Sequence, residues 1–192
     1  MELIQQDPEL SAYLAADEAV DHEHPVVRET AAALRARHPD VRAYARAAYA
    51  YVRDEIPHSS DTGDLRVTWR ASDVLARRTG ICHAKAHALA ALLRAESIPT
   101  ALCYQKFEVL HGLVAIRLPG TDAWHRQDPR GGVPGREAEF SLEQEQLAFL
   151  PDPEFNEVDY PVLYSVPHAG VLSAMRSAPD SPELLRSLPT DL

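Results

Sequence analysis

The chain has no glycine in its first 62 residues and only two cysteines in its length of 192. Two cysteines, Cys82 and Cys103, are too few for a disulfide framework and indicate a reducing compartment. No apolar run approaches the roughly 20 residues that a membrane-spanning helix needs. The N-terminus has neither the basic nor the apolar segment of a secretory signal. We therefore expect a globular protein of the cytoplasm.

Basic residues are scarce, with 19 Lys and Arg against 29 Asp and Glu, a formal net charge of −10. No face collects positive charge, which argues against non-specific binding to nucleic acid or to an anionic membrane surface. The expected partners therefore include neither nucleic acid nor a membrane. The sequence leaves the oligomeric state undetermined.

The glycine-free segment is expected to be almost wholly helical. Pro25 suits the first position of one helix, and Asp40 suits the N-cap of a second that ends near Ile56-Pro57. A polar loop follows over residues 58–64, and Ser72 is expected to cap a short helix that leads the chain to Gly80.

Cys82 opens a stretch rich in alanine and leucine that is expected to form a helix. Cys82, Ala86, Leu89 and Leu93 recur at helical spacing, which predicts that the thiol lies on the face toward the core. Unpaired N–H groups and the helix dipole favour a thiolate at a helix start, as a nucleophile requires. The alternative is a small buried cysteine without chemistry.

Three β-type segments follow, and their register is predictable. They are Thr100–Phe107, Val109–Leu118 and Trp124–Asp128. A turn centred on Gly120-Thr121 places Leu113 opposite Asp128, so that His111 and Asp128 become diagonal neighbours on one face. A slip of one residue would send Asp128 to the other face.

These residues meet the needs of cysteine catalysis. A cysteine nucleophile requires a base that takes its proton and a third group that orients the base. Cys82, His111 and Asp128 occur in that chain order, the first at a helix start and the others on adjacent strands.

The same residues resemble the bacterial transglutaminase-like superfamily. The resemblance covers roughly residues 41–132, with Ser97 standing where the family usually has glycine. The segments that carry it are Gly80-Ile81-Cys82, Leu92 to Pro99, Tyr51 to Ile56, Ala71 to Leu75, Leu110 to Leu113 and Trp124 to Gly131.

The resemblance implies an α+β, papain-like fold in which the nucleophile helix packs on an antiparallel sheet. It also implies a Cys82–His111–Asp128 triad that acts on the amides of proteins or peptides through a thioester, with no metal or cofactor. One domain is expected over residues 1–192, with a core over about 41–132, a helical arm over 1–40 and a partly helical extension over 133–192. Residues 170–177 and 182–188 are expected to be helices in that extension.

The backbone N–H of Cys82 is expected to be one of two donors to the oxyanion of the reaction. The second donor is left open among Trp69, His58 and Gln105.

Two other functions remain open. Cys82, His83, His87 and His111 include a His-x3-His pair that zinc accepts, although both helix histidines are expected to point about 100 degrees from Cys82 and to be exposed. The other alternative is a non-catalytic binding module with the same fold.

Overall fold

The computed structural model describes all 192 residues, with seven α-helices and six strands. The helices are α1 (Pro25–Arg37), α2 (Val41–Glu55), α3 (Ser59–Thr62), α4 (Ala71–Arg77), α5 (Cys82–Ala95), α6 (Ala169–Ser177) and α7 (Ser181–Ser187). The strands are β1 (Ile4–Gln5), β2 (Thr100–Lys106), β3 (Leu110–Ile116), β4 (His125–Gln127), β5 (Val158–Asp159) and β6 (Val162–Leu163). Short 3-10 helices cover Leu10–Leu14 and Pro153–Phe155.

The main sheet has the strand order β4-β3-β2-β5, and every neighbouring pair is antiparallel. β3 and β4 pair Val114 with Gln127, which is the predicted register. β1 and β6 form a separate parallel pair. The α+β class expected from the sequence is confirmed.

Helix α5 is the centre of the fold. It packs against α1, α2 and α4 as well as against β2 and β3. Cys82, Ala86, Leu89 and Leu93 are buried as predicted, but so is every other residue from Cys82 to Arg94. A helix that is covered by neighbours on all sides has no polar face, and its polar side chains must find partners inside the protein.

The main sheet lies between two hydrophobic clusters, one on each face. One face of β2 and β3 contributes Leu102, Tyr104, Val114 and Ile116 to the large cluster that contains α5. The other face contributes to a small cluster of Tyr13, Ala101, Cys103, Leu113, Ala115, Leu147 and Leu163. Cys103 is therefore a buried strand residue.

Several local predictions are confirmed and others are wrong. Pro25 begins α1, and the Asp40 carboxylate caps α2 by accepting from the Ala43 N–H at 2.8 Å.

Ser72 does not cap a helix, because α4 begins at Ala71 and the Ser72 hydroxyl bonds to Asp21. The expected polar loop instead contains the short helix α3. None of the helices combines the length and the apolar character needed to cross a bilayer.

Ser97 has a left-handed backbone at the end of α5, with a φ of 59°. The N–H groups of Ser97 and Ile98 bond back to the carbonyls of Arg94 and Leu93, both at 3.0 Å, and close the last turn. This closure requires a positive φ, which costs energy for a residue with a Cβ.

We predict that Ser97→Gly raises the free energy of unfolding by about 0.5–1 kcal/mol, because glycine adopts this conformation without a steric penalty. Ser173→Gly, in the exposed interior of α6, should instead lower it by about 0.5 kcal/mol. Denaturant unfolding of both variants tests this, and a destabilised Ser97→Gly protein would contradict it.

Candidate active site

Cys82 is the first residue of α5, where the helix leaves its N–H groups unpaired. The residue is 7% exposed and borders a cleft of about 570 Å³. Gly80 makes the approach to the helix possible, because a Cβ there would lie 2.8 Å from the Ala84 Cβ. The cysteine is thus at the helix start, as the sequence predicted.

His111 and Asp128 form a buried hydrogen-bonded pair beside Cys82. The Nε2–H of His111 donates to Asp128 Oδ2 at 2.9 Å. His111 is on β3, and Asp128 directly follows β4, so the confirmed register brings the two side chains to one face. Cys82 and His111 line the same cleft, and each shifts the pKa of the other toward its charged form, although the hydrogen bond of the thiol in this structure is to His83.

The carboxylate of Asp128 is fully buried, and each of its two oxygens accepts a backbone hydrogen bond. Its Oδ2 also accepts from the Ala148 N–H, and its Oδ1 accepts from the Arg130 N–H, both at 3.1 Å. The Tyr49 hydroxyl donates to the backbone carbonyl of Asp128 at 3.0 Å. These bonds fix the orientation of the carboxylate and hence of the His111 ring.

The electrostatics favour a thiolate–imidazolium pair. Burial alone raises the pKa of the Cys82 thiol, but the neighbouring imidazoles, His83 and His111 above all, outweigh it, so the pKa lies well below its ordinary value. Burial lowers the pKa of His111, whereas Asp128 and Cys82 raise it, with the balance at about 10. Both shifts stabilise the charged forms.

His83 is a further neighbour of the thiol, and the sequence interpretation of it was wrong. Its Nδ1 lies 3.3 Å from Cys82 Sγ, and the side chain is buried. The ring fits against Gly112, where a Cβ would lie 2.6 Å from its Cδ2. At the open end of the helix no preceding turn covers the two side chains, so they meet despite their different helix faces.

His58 contacts the backbone of the nucleophile. The Cys82 N–H donates to His58 Nε2 at 3.0 Å, and His58 lines the same cleft. Trp69 and Gln105 do not line the cleft. The Gln105 amide donates to Asp159, and the Trp69 ring lies against Arg70 and Arg176.

The metal alternative has no ligand set, because no three His, Cys, Asp or Glu side chains lie where they could share an ion. His87 is buried rather than exposed, and its Nδ1–H donates to the Trp69 carbonyl at 2.8 Å. Burial lowers the pKa of His87 to about 4. His87 is therefore a neutral structural residue.

Lys85, one turn after Cys82, joins the segments that surround the site. Its buried ammonium donates to the carbonyls of Ile56 at 2.6 Å, Arg53 at 3.2 Å and Arg130 at 3.3 Å. Burial is the main cause that lowers the pKa of Lys85, to about 8. The lysine ties the end of α2 and the segment after Asp128 to the nucleophile helix.

A sequence model of the transglutaminase-like superfamily matches residues 28–125. The chain belongs to this superfamily. The match includes Cys82 and His111 and ends just before Asp128.

Two solved structures are similar to this transglutaminase-like chain. One is a candidate cysteine protease from Cytophaga hutchinsonii, with 20% identity, a TM-score of 0.54, and coverage of 65% of this chain and 43% of that one. The other is the periplasmic domain of TgpA from Pseudomonas aeruginosa, with 22% identity, a TM-score of 0.48, and coverage of 64% and 47%. The likeness in fold rests on the first, and the chain spans less than half of either protein. No curated protein matches the chain.

Sequence reasoning missed several residues of this transglutaminase-like site. Ala148 and Tyr49 support Asp128 through a backbone N–H and a hydroxyl, for which no motif exists. Lys85 had a usable signal, because a lysine on a helix that is otherwise apolar must find buried acceptors.

We predict that Lys85→Met lowers the free energy of unfolding by about 2–4 kcal/mol, because it leaves buried carbonyls without donors. Lys106→Met is the matched control, since Lys106 pairs with an exposed Asp191 and its loss should matter much less. Equal losses in denaturant unfolding would contradict the joining role of Lys85.

Proposed function

We propose that the protein is a cysteine-dependent enzyme that cleaves or transfers the acyl group of an amide, through a thioester on Cys82. The observation that carries the proposal is the buried Asp128–His111 pair beside a thiol whose pKa lies well below its ordinary value. Membership of the superfamily supports a cysteine-based enzyme in general. The roles of Cys82 as nucleophile, His111 as base and acid, and Asp128 as orienting group are our assignment.

The proposed reaction has two steps. The Cys82 thiolate attacks the amide carbonyl, and the His111 imidazolium gives its proton to the leaving amine as the C–N bond breaks. The resulting thioester is then attacked by water or by an amine, which gives its proton to His111 as the C–S bond breaks. Asp128 keeps Nε2 protonated throughout, so that the other ring nitrogen faces the reacting groups.

The oxyanion of each tetrahedral intermediate requires donors in the cleft. The Cys82 N–H is at the right place but bonds to His58 Nε2 in this structure. We propose that the oxyanion replaces His58 as its acceptor, and that the displaced His58 ring supplies the second donor. Of the three side chains considered from the sequence, His58 is the one that lines the cleft.

The substrate is proposed to be an amide of a peptide or protein, and the acceptor to be water or an amine. Neither nucleic acid nor a membrane is a proposed partner, given the net charge of −10. Both cysteines are free, in keeping with our proposal of a reducing, cytoplasmic location.

The second candidate function is a binding module that retains the fold without catalysis. The occupied Cys82 N–H favours it, because an oxyanion cannot use this donor until His58 moves. The state of the thiol distinguishes the two functions, since a binding module has no need of a thiolate.

We predict that iodoacetamide alkylates Cys82 at pH 6 nearly as fast as at pH 8. The direction of the effect follows from the pKa of Cys82, which lies well below its ordinary value, so that the thiolate persists to a lower pH than in a free cysteine. Cys103 is the internal control, because burial raises its pKa to about 12 and keeps it protonated. Mass spectrometry of the modified peptides measures both, and a Cys82 as inert as Cys103 would refute the enzyme function.

Asp128→Asn should reduce turnover about 10²- to 10⁴-fold, through loss of the oriented imidazole. It should also slow alkylation of Cys82 at pH 6, because without Asp128 the pKa of His111 falls and the cation beside the thiol is lost. Asp122→Asn, on the exposed hairpin turn, is the matched control. Undiminished turnover in the Asp128→Asn variant would contradict the role of Asp128 as the orienting group of the triad.

A further inference from the structure

An apolar wall extends from the candidate nucleophile along the cleft. It is formed by Phe107, Val109, Leu110, Phe149, Leu185 and Leu188. Phe107, Val109, Phe149 and Leu185 are only partly buried, so they present apolar surface to the cleft in the free protein.

The apolar wall touches the candidate base directly. The Phe149 ring is edge-on to His111 with 5.0 Å between ring centres, and Phe107 lies 5.3 Å from Phe149. A group bound against these rings therefore lies next to the atoms that would react. The position links the wall to the substrate of the proposed reaction rather than to an unrelated partner.

The wall is made by three separate segments. They are the turn between β2 and β3, the segment that supports Asp128 through Ala148, and the end of α7. The last two lie outside residues 28–125, the part that matches the superfamily. The contribution of α7 is thus a property of this chain beyond the shared core.

Few polar groups of the cleft can receive a polar side chain. Arg130 is engaged by Asp61, with nitrogen–oxygen distances of 2.8 and 3.0 Å. Glu108 and Glu157 add negative charge to the cleft. The Ser60 hydroxyl also lines the cleft, but the apolar wall itself offers no donor, so a carboxamide or carboxylate placed against the wall would lose water there without a replacement hydrogen bond.

We propose that the apolar wall binds a large apolar side chain, aromatic or branched aliphatic, beside the amide bond that Cys82 attacks. The proposal rests on the proposed function for its choice of bond. The cleft volume of about 570 Å³ falls within the range of small-ligand sites, about 300–1,000 Å³. Burial of such a side chain is expected to improve binding by about 10- to 100-fold over glycine.

The test is equilibrium binding of N-acetyl amino acid amides to the whole protein, followed by NMR chemical shifts. We expect the phenylalanine and leucine amides to bind at least about tenfold more tightly than the asparagine and glycine amides. An asparagine amide that binds as tightly as the phenylalanine amide would overturn the proposal. This comparison uses the unmodified protein and does not depend on the folding of a variant.

Two leucine variants locate the binding. Leu185→Ala removes part of the wall and should weaken binding of the phenylalanine amide several-fold. Leu172→Ala, a half-buried leucine of α6 that does not line the cleft, should leave it unchanged. Equal effects of the two substitutions would overturn the assignment of the wall.

Alkylation of Cys82 in the same preparations separates this proposal from the proposed function. An inert thiol with a retained preference for the phenylalanine amide would refute the enzyme and leave the apolar site standing. A reactive thiol without side-chain preference would refute the apolar site alone.

Discussion

The buried carboxylate of Asp128 is the constraint on which the rest of the site depends. A fully buried charge is costly unless it is paired and hydrogen-bonded, and Asp128 accepts from His111, Arg130 and Ala148. Each of these donors comes from a different part of the chain. The carboxylate therefore holds together β3, the segment after β4 and the irregular segment near residue 148, and His111 is oriented as a consequence.

The polar side chains of helix α5 are also buried and also need hydrogen-bond partners inside the protein. It is buried on every side, yet it contains Lys85, His87 and Arg94. Arg94 donates to the carbonyls of Ala15, Thr100 and Ser165 at 2.7–3.1 Å, and Lys85 and His87 likewise donate to backbone carbonyls. Side-chain donors on one helix thus provide hydrogen bonds to backbone carbonyls of several surrounding segments. The N-terminus of the same helix places Cys82 at the cleft.

Those parts of the fold and site that depend on local pattern could be predicted from the sequence. Asp40 indicated the start of α2, and the turn near Gly120 indicated the register of β3 with β4. Because side chains alternate between the two faces of a sheet, that register also predicted that His111 and Asp128 share a face. His58, His83 and Ala148 could not be placed, because their contacts depend on how an open helix end and an irregular segment pack. Leu185 lines the cleft from a helix some 100 residues after Cys82. Hydrophobic periodicity describes one element at a time, so it could not predict this contact between distant parts of the chain.

We propose that His111 is an imidazolium that pairs with Asp128 and is stabilised by a nearby Cys82 thiolate. The most direct measurement is the protonation state of His111 at neutral pH, from the nitrogen chemical shifts of isotope-labelled histidine. We predict that both nitrogens of His111 carry protons at pH 7, in line with a pKa of about 10. We also predict that Cys82→Ser lowers this pKa, because the serine hydroxyl provides no anion. A neutral His111 at pH 7 that titrates near the ordinary value of 6.5 would contradict the claim.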